Sequence, residues 1–247
     1  MLNPDKIPAH VALIMDGNGR WAQKRIMNRV KGHEQGAKTV REIVTAAMEL
    51  GIPTLTLYAF STENWGRPKA EVSALMHLLK RFMVGERESM MERGIRLNIL
   101  GQVDRLPQGV RDEALETIRL TRDNGRLVLN LALSYGSREE VTRAVQTISQ
   151  KVASGELTPD EITEETVSAH LYTAGMPDPD LIIRTSGEFR LSNFLMWQAA
   201  YSEIFITPTL WPDFSKAEFV DILKKFQERD RRFGKVECNI SNDGSPL

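Results

Sequence analysis

The chain predicts a single α/β domain, a mainly parallel six-stranded sheet flanked by helices. Three observations carry that prediction. Six short runs rich in Val, Ile and Leu are spread through the 247 residues. Most are apolar at every position rather than alternating, as strands covered on both faces must be. Longer amphipathic segments, with apolar residues three and four apart, lie between them. The two kinds alternate from end to end, the pattern of βα units around one core, with no internal repeat. A composition of 41% hydrophobic and 26% charged residues supplies enough apolar side chains for one such core.

The strands are expected at residues 11–15, 54–60, 95–100, 127–133, 181–184 and 203–206, each bounded by Gly, Pro or Asp. A helix over 33–50 places Ala37, Val40, Val44 and Ala47 on one stripe, and Gly51 stops it. A long helix over 71–93 carries Val72, Leu75, Met76, Leu79, Phe82 and Met83 at helical spacing and ends at Gly94. This stripe suits either plain core or the lining of a greasy cavity. The helix over 137–152 opens on Ser137 and Glu140, a capping-box spacing that Ser215 and Glu218 repeat before Phe219, Ile222, Leu223 and Phe226. The acidic, proline-containing stretch 154–180 reads as a surface excursion with a short helix near 164–171. Residues 1–237 are expected to form the domain and 238–247, "CNISNDGSPL", a disordered polar tail.

Bulk properties exclude several function classes. A formal net charge of −1 creates no global field for nucleic acid, so anion binding must be local. The single cysteine, Cys238, rules out an internal disulfide framework and suits a reducing compartment. The N-terminal "MLNPDKIPAH" is no secretory signal, and no run of 18 apolar residues occurs. A cytoplasmic protein is the expectation.

Ligands in open α/β sheets sit beyond the carboxyl ends of the strands. The first strand there meets Asp16-Gly17-Asn18-Gly19-Arg20-Trp21, the second Ser61-Thr62-Glu63-Asn64-Trp65-Gly66-Arg67, and the fifth Arg184 followed by Arg190, Leu191 and Ser192. Glycines permit close backbone approach to an anion, but the string matches neither a P-loop nor a dinucleotide fingerprint. Taken alone it is equally a tight turn. Arginines tip the balance, because guanidinium groups grip phosphate bidentately. Arg20, Arg67, Arg184 and Arg190 follow strand ends, and Arg29 lies close behind. The pattern implies a ligand with phosphate groups. An acid beside phosphates needs a divalent ion, and hard oxygen ligands suit magnesium, which makes Asp16 and Glu203 the metal candidates.

The blocks "HVALIMDGNGRWA", "LTLYAFSTENWGRP" and "LIIRTSGEFRLSNFLMWQAAYSEIFI", with "WPDF" and "RDRRFG", resemble the cis-prenyltransferases, above all the bacterial undecaprenyl diphosphate synthases. The resemblance runs over about residues 10–234. It implies repeated condensation of isopentenyl diphosphate onto an allylic diphosphate such as farnesyl diphosphate, with Mg2+ as cofactor. Asp16 would position magnesium, with help from Glu203. Gly17, Asn18, Gly19, Arg20, Arg29 and His33 would hold the allylic diphosphate, with Trp21 beside it. Arg184, Arg190 and Ser192 would hold the isopentenyl diphosphate, with Leu191 among the substrate-binding residues. Asn64 would take part in proton removal, with Ser61, Thr62, Glu63, Trp65 and Arg67 shaping the site. The lone His33 between glycines in "KGHEQG" favours ligand contact. Phe189 stands where some members carry a histidine, which leaves Asp16 and Glu203 as the protein's metal ligands.

A hydrophobic tunnel also follows from the resemblance, lined by the 75–83 helix and Leu127 or Leu129. So does a homodimer in which Arg232-Phe233-Gly234 reaches the partner's site, and a product handed to the membrane by peripheral contact. A cis-prenyltransferase of different product length and a non-catalytic partner subunit are the alternatives. The partner subunit is disfavoured because the Asp-Gly-Asn-Gly-Arg block is intact. A phosphatase would need Asp-x-Asp, and Asn18 occupies the second position.

Overall fold

Each apolar run forms a strand within two residues of its expected bounds in the computed structural model, which describes residues 2–229. In chain order the elements are β1 (His10–Ile14), α1 (Asn18–Lys24), α2 (Arg29–Glu49), β2 (Thr54–Ser61), α3 (Lys69–Arg93), β3 (Ile95–Leu100), α4 (Gln108–Thr121), β4 (Leu127–Tyr135), α5 (Ser137–Ala153), α6 (Glu164–Ser168), β5 (Leu181–Arg184), β6 (Glu203–Ile206) and α7 (Lys216–Gln227). The order across the sheet is β3-β4-β2-β1-β5-β6, and every pair is parallel. Strand order reverses about β1, which has β2 on one side and β5 on the other. Such a switch point leaves a crevice at the carboxyl ends, so β1 and β5 point at the site.

The faces of the sheet carry different residues. Val11, Leu13, Leu55, Leu57, Leu97, Leu129 and Ile183 lie on one, with α2, α3, α4 and α7 packed over them. Ala12, Ile14, Leu100, Ala132 and Ile182 lie on the other, beneath Tyr135, Phe194 and Leu195. Met76, Met83 and Met90, seven residues apart, are the only fully buried apolar side chains described in α3. The rest of its stripe is half-buried.

Three local expectations are corrected. Helix α2 begins at Arg29, four residues before His33, because the Asn28 side chain caps it by accepting from Val30 N at 3.0 Å. Helix α4 was not foreseen, since its buried face is Val110, Ala114, Thr117 and Thr121, too small and polar to announce a stripe. Ser137 and Glu140 form no capping box. Gly136 is the N-cap, and the buried Glu140 carboxylate instead accepts from Tyr135 Oη at 2.5 Å, Tyr172 N at 2.8 Å and Gln198 Nε2 at 3.2 Å. Ser215 does cap α7, accepting from Glu218 N at 3.2 Å, while the Glu218 carboxylate accepts from Thr207 rather than from the cap backbone. The domain boundary at 237, the tail 238–247 and Arg232–Gly234 lie outside the described residues.

Candidate active site

Asp16 follows β1 and Arg184 ends β5, at the reversal in strand order. Arg184 is buried, and three acceptors fix its guanidinium. It donates to Asp16 Oδ2 at 2.8 Å, Ser192 Oγ at 2.8 Å and the Arg190 carbonyl at 2.5 Å. Arg20, one turn into α1, reaches the same Asp16 oxygen at 3.1 Å. Burial opposes ionisation of Asp16, but Arg184 and Arg20 outweigh it and hold its carboxyl below the usual carboxylate range. Asp16 is therefore an anion throughout the neutral range. Arg20 also donates to Glu188 Oε1 at 3.0 Å, and Arg190 to Glu188 Oε2 at 2.6 Å. One carboxylate thus spans two arginines, as a phosphate group would.

Gly17 makes this turn possible. Its φ of 109° is left-handed, and a Cβ there would meet Leu210 at 2.9 Å. No side chain caps α1, so its first N–H groups are open to an anion. Helix α2 is drawn tightly under α1, because a Cβ on Gly32 would lie 2.0 Å from the Asn18 carbonyl and one on Gly36 2.2 Å from Asn18 Oδ1. The glycines around His33 are therefore a packing notch for α1, which corrects the reading of "KGHEQG" as a ligand signal. The notch still delivers His33 and Arg29 to the site. Arg29 lies against Gly19 and pairs with Glu71 at 3.4 Å, and Glu71 pairs with Arg67 at 3.1 Å. Burial, helped by the Arg67 charge, pushes the His33 imidazole down to about 4, so it is neutral at neutral pH.

Two hollows meet here. A polar one is lined by Asp16, Ser61, Glu63, Arg184, Ser192 and Asn193. An apolar one runs between α2, α3 and the sheet, walled by Ala37, Val40, Leu75, Leu79, Phe82 and Leu131. Met15, Tyr58, Asn64 and Arg67 line both. Asn64 is thus at the junction, and its amide is oriented, since Oδ1 accepts from Ser61 N at 3.2 Å. That bond leaves the Asn64 amino group, a donor, for the site.

Several expected residues are placed elsewhere. Trp21 donates its indole N–H to Asp213 at 2.6 Å and lies under Arg25, which makes it a brace for α1. Trp65 donates to Ser134 Oγ at 2.9 Å and faces the far side of α3. Leu191 packs into the core beside Phe194, and Thr62 lies against Gly136. Leu127 lines neither hollow, while Leu131 and Leu133 wall the apolar one and Leu129 lies in a smaller hollow beyond it. Phe189 is exposed.

Glu203 is not brought to Asp16. It opens β6 in register with Leu181, at the amino end of the sheet, whereas Asp16 lies past the carboxyl end. The strand between them rises about 10 Å. Among the described residues no three His, Cys, Asp or Glu converge as a metal cluster.

Tyr58, Glu71, Glu188 and Asn193 were missed as site residues. Only a structural signal marks Asn193. Ser186, Ser192, Asn193 and Leu195 all adopt positive φ, and such crowding in one loop marks a functional segment, but φ is invisible in sequence.

These features define an α/β enzyme with an anion pocket opening into a hydrocarbon cavity. A family model described as "Putative undecaprenyl diphosphate synthase" matches residues 14–234, and the chain belongs to that family, the cis-type prenyl transferases. Isoprenyl transferase of Heliobacterium mobile is 50% identical over 96% of this chain and 91% of that protein. Isoprenyl transferase of Agrobacterium fabrum is 50% identical over 97% of both. Lavandulyl diphosphate synthase of Lavandula x intermedia, solved with dimethylallyl diphosphate, superposes with a TM-score of 0.91 at 37% identity, covering 94% of this chain and all of that one. A probable undecaprenyl diphosphate synthase of Campylobacter jejuni gives 0.76 at 37% identity, over 95% of this chain and all of that one.

Proposed function

We propose that the protein condenses isopentenyl diphosphate repeatedly onto farnesyl diphosphate to make a long polyprenyl diphosphate, undecaprenyl diphosphate, for use as a lipid carrier. The observation that supports this reading is the continuity of the two hollows through Asn64 and Tyr58, a polar one suited to diphosphate groups beside an apolar one suited to a growing hydrocarbon.

The uncapped start of α1 with Arg20, Arg29 and His33 holds the allylic diphosphate. Arg184, Arg190 and Ser192 hold that of the isopentenyl unit. As the allylic carbon–oxygen bond breaks, the terminal alkene carbon of the isopentenyl unit forms the new carbon–carbon bond, and the arginines stabilise the departing diphosphate. One proton then leaves the isopentenyl unit. The Asn64 amino group is a donor and so positions that unit, and a diphosphate oxygen takes the proton. Asp16, a half-exposed carboxylate facing the polar hollow, fits magnesium in its usual mode of one protein carboxylate plus substrate oxygens. When bound, the ion neutralises charge developing on the leaving group. Glu203 joins it only from a second copy of the chain. The edge strand β6, with Ile204 and Tyr201 exposed, supports a homodimer. Among the described residues no helix is long and apolar enough to cross a membrane, which suits an enzyme working from the cytoplasm.

The test is incubation with isopentenyl diphosphate and either farnesyl or dimethylallyl diphosphate, with and without Mg2+, followed by chromatography of the products. Long products from farnesyl diphosphate, dependent on Mg2+, are expected, and Asp16→Ala should lower kcat by about a thousandfold. A single condensation from dimethylallyl diphosphate would instead support a short-chain enzyme.

A further inference from the structure

Helix α1 ends on a residue its backbone does not suit. Ile26 N donates to the Gln23 carbonyl at 3.1 Å and Met27 N to the Ala22 carbonyl at 2.9 Å. This pair of bonds is a Schellman ending, which places Ile26 at the position where glycine is favoured. Its φ is 56°, strained for a β-branched side chain. The side chain then gains nothing from folding, because Ile26 is 98% exposed and Met27 beside it 48%. Burial cannot account for the tip.

The surroundings of the turn are cationic. Lys24 is exposed next to Ile26. Arg25, Arg29 and Lys31 flank the tip in sequence and are exposed, and residues 17–33 hold no Asp or Glu. Of these four cations, Arg25, Arg29 and Lys31 pair with Asp213, Glu71 and Glu34, in a chain whose formal net charge is −1. An apolar tip flanked by exposed cations complements an anionic lipid surface, where the tip enters the headgroup boundary and the cations meet the headgroups.

We infer that the α1–α2 turn docks the protein onto an anionic bilayer, with Ile26 and Met27 inserted and Lys24 and its neighbours at the headgroups. This goes beyond the proposed reaction, and vesicle binding is its readout. Two small apolar side chains give weak, reversible docking.

The full chain should co-sediment with vesicles of equal parts phosphatidylglycerol and phosphatidylcholine, and much less with phosphatidylcholine alone. Ile26→Gly should lower the partition coefficient by about tenfold. It should raise rather than lower the melting temperature, since glycine accepts this φ. Ile26→Leu should restore binding, and Lys24→Glu should weaken it by about fivefold or more. Equal binding to both vesicle types, or Ile26→Gly binding like the wild type, would overturn the inference. So would a change confined to self-association in sedimentation velocity, which would give the tip to a second copy. A raised substrate KM with vesicle binding intact would give it to substrate.

Discussion

On one face of the sheet Leu55, Leu57, Leu131 and Leu133 look across at an α3 whose Leu75, Leu79 and Phe82 are only half-buried, and the space between is the apolar hollow. On the other face a chain of hydrogen bonds crosses four strands. The Pro177 carbonyl accepts from His10 Nδ1 at 2.8 Å, His10 Nε2 accepts from Thr56 Oγ1 at 2.7 Å, Thr56 Oγ1 accepts from Asn130 Nδ2 at 3.0 Å, and Asn130 Oδ1 accepts from Asn98 Nδ2 at 3.0 Å. Every donor and acceptor in this ladder has one consistent direction. Beyond it Tyr58 stacks on Phe194 at 4.4 Å. Arg184 belongs to this face, in register with Ile14. The difference separates two physical demands. Charge stabilisation needs fixed donors, and the polar ladder and aromatic stack fix them. The proposed reaction adds a growing chain that needs a wall that yields, a demand that a helix held by three methionines suits.

The largest expected effect comes from breaking the rigid face where it meets substrate. Arg184→Ala should cost kcat about a hundred- to a thousandfold, and Arg184→Lys nearly as much, because an ammonium cannot serve Asp16, Ser192 and the Arg190 carbonyl together. Steady-state kinetics checks it, and near-normal turnover in the lysine variant would show that a point charge suffices. Within the ladder, Asn130→Leu should destabilise by about 1–3 kcal/mol, read from the denaturant midpoint, because the Asn98 amino group loses its acceptor. His10 of the ladder and His33 of the opposite face together predict a pH dependence. Burial lowers the pKa of His10, and burial with Arg67 takes His33 to about 4. The unfolded chain therefore binds more protons than the native one below about pH 6.5, so stability is full above that pH and falls as the solution is acidified toward 4. Urea unfolding at several pH values should show this slope, and His33→Asn should flatten it.

What the sequence made legible follows the same division. The strands and the apolar stripe of α3 could be read because burial on both faces and a 3.6-residue period leave a compositional trace. Asp16, Arg20, Arg184 and Arg190 could be located because the topology rule sends strand ends to one edge. Side-chain partners could not be read. Nothing in the order of residues says that the Trp21 indole goes to Asp213, that Gly32 and Gly36 are spacers for Asn18, or that Glu188 spans two arginines. Glu203 misled because its neighbours in sequence belong to the site block, while the short strand it opens carries it to the far edge. Ser137 and Glu140 show the same limit, since a capping spacing does not reveal that the carboxylate is turned inward to Tyr135.

On the yielding face the sharpest test is Phe82. It lines both the apolar hollow and a smaller hollow beyond it, which Val44, Met90 and Leu129 also line. Arg41 lies 6.0 Å above its ring and is held by Glu86 at 2.5 Å. Phe82 is thus the partition between the two. Phe82→Ala should join them and lengthen the mean product by about one five-carbon unit, the size of the group removed, with little change in melting temperature. Chromatography of the products checks it, and unchanged lengths would place the end wall elsewhere.

The smallest effect is expected where the two arginine sets touch. The carboxylate of Glu188 joins Arg20 of the proposed allylic set to Arg190 of the proposed isopentenyl set, and Arg190 first, with Arg20, holds it below the usual range, so it stays ionised in any neutral assay. An incoming diphosphate must displace it from at least one of them. The pairs are partly exposed, so the competition is weak. Glu188→Gln should therefore lower KM for both diphosphates by about two- to fivefold and leave kcat unchanged. If kcat fell instead, Glu188 would be acting on the reacting groups rather than standing in for their phosphates. The rigid face would then extend one residue further into the chemistry than the hydrogen bonds of the unliganded chain imply.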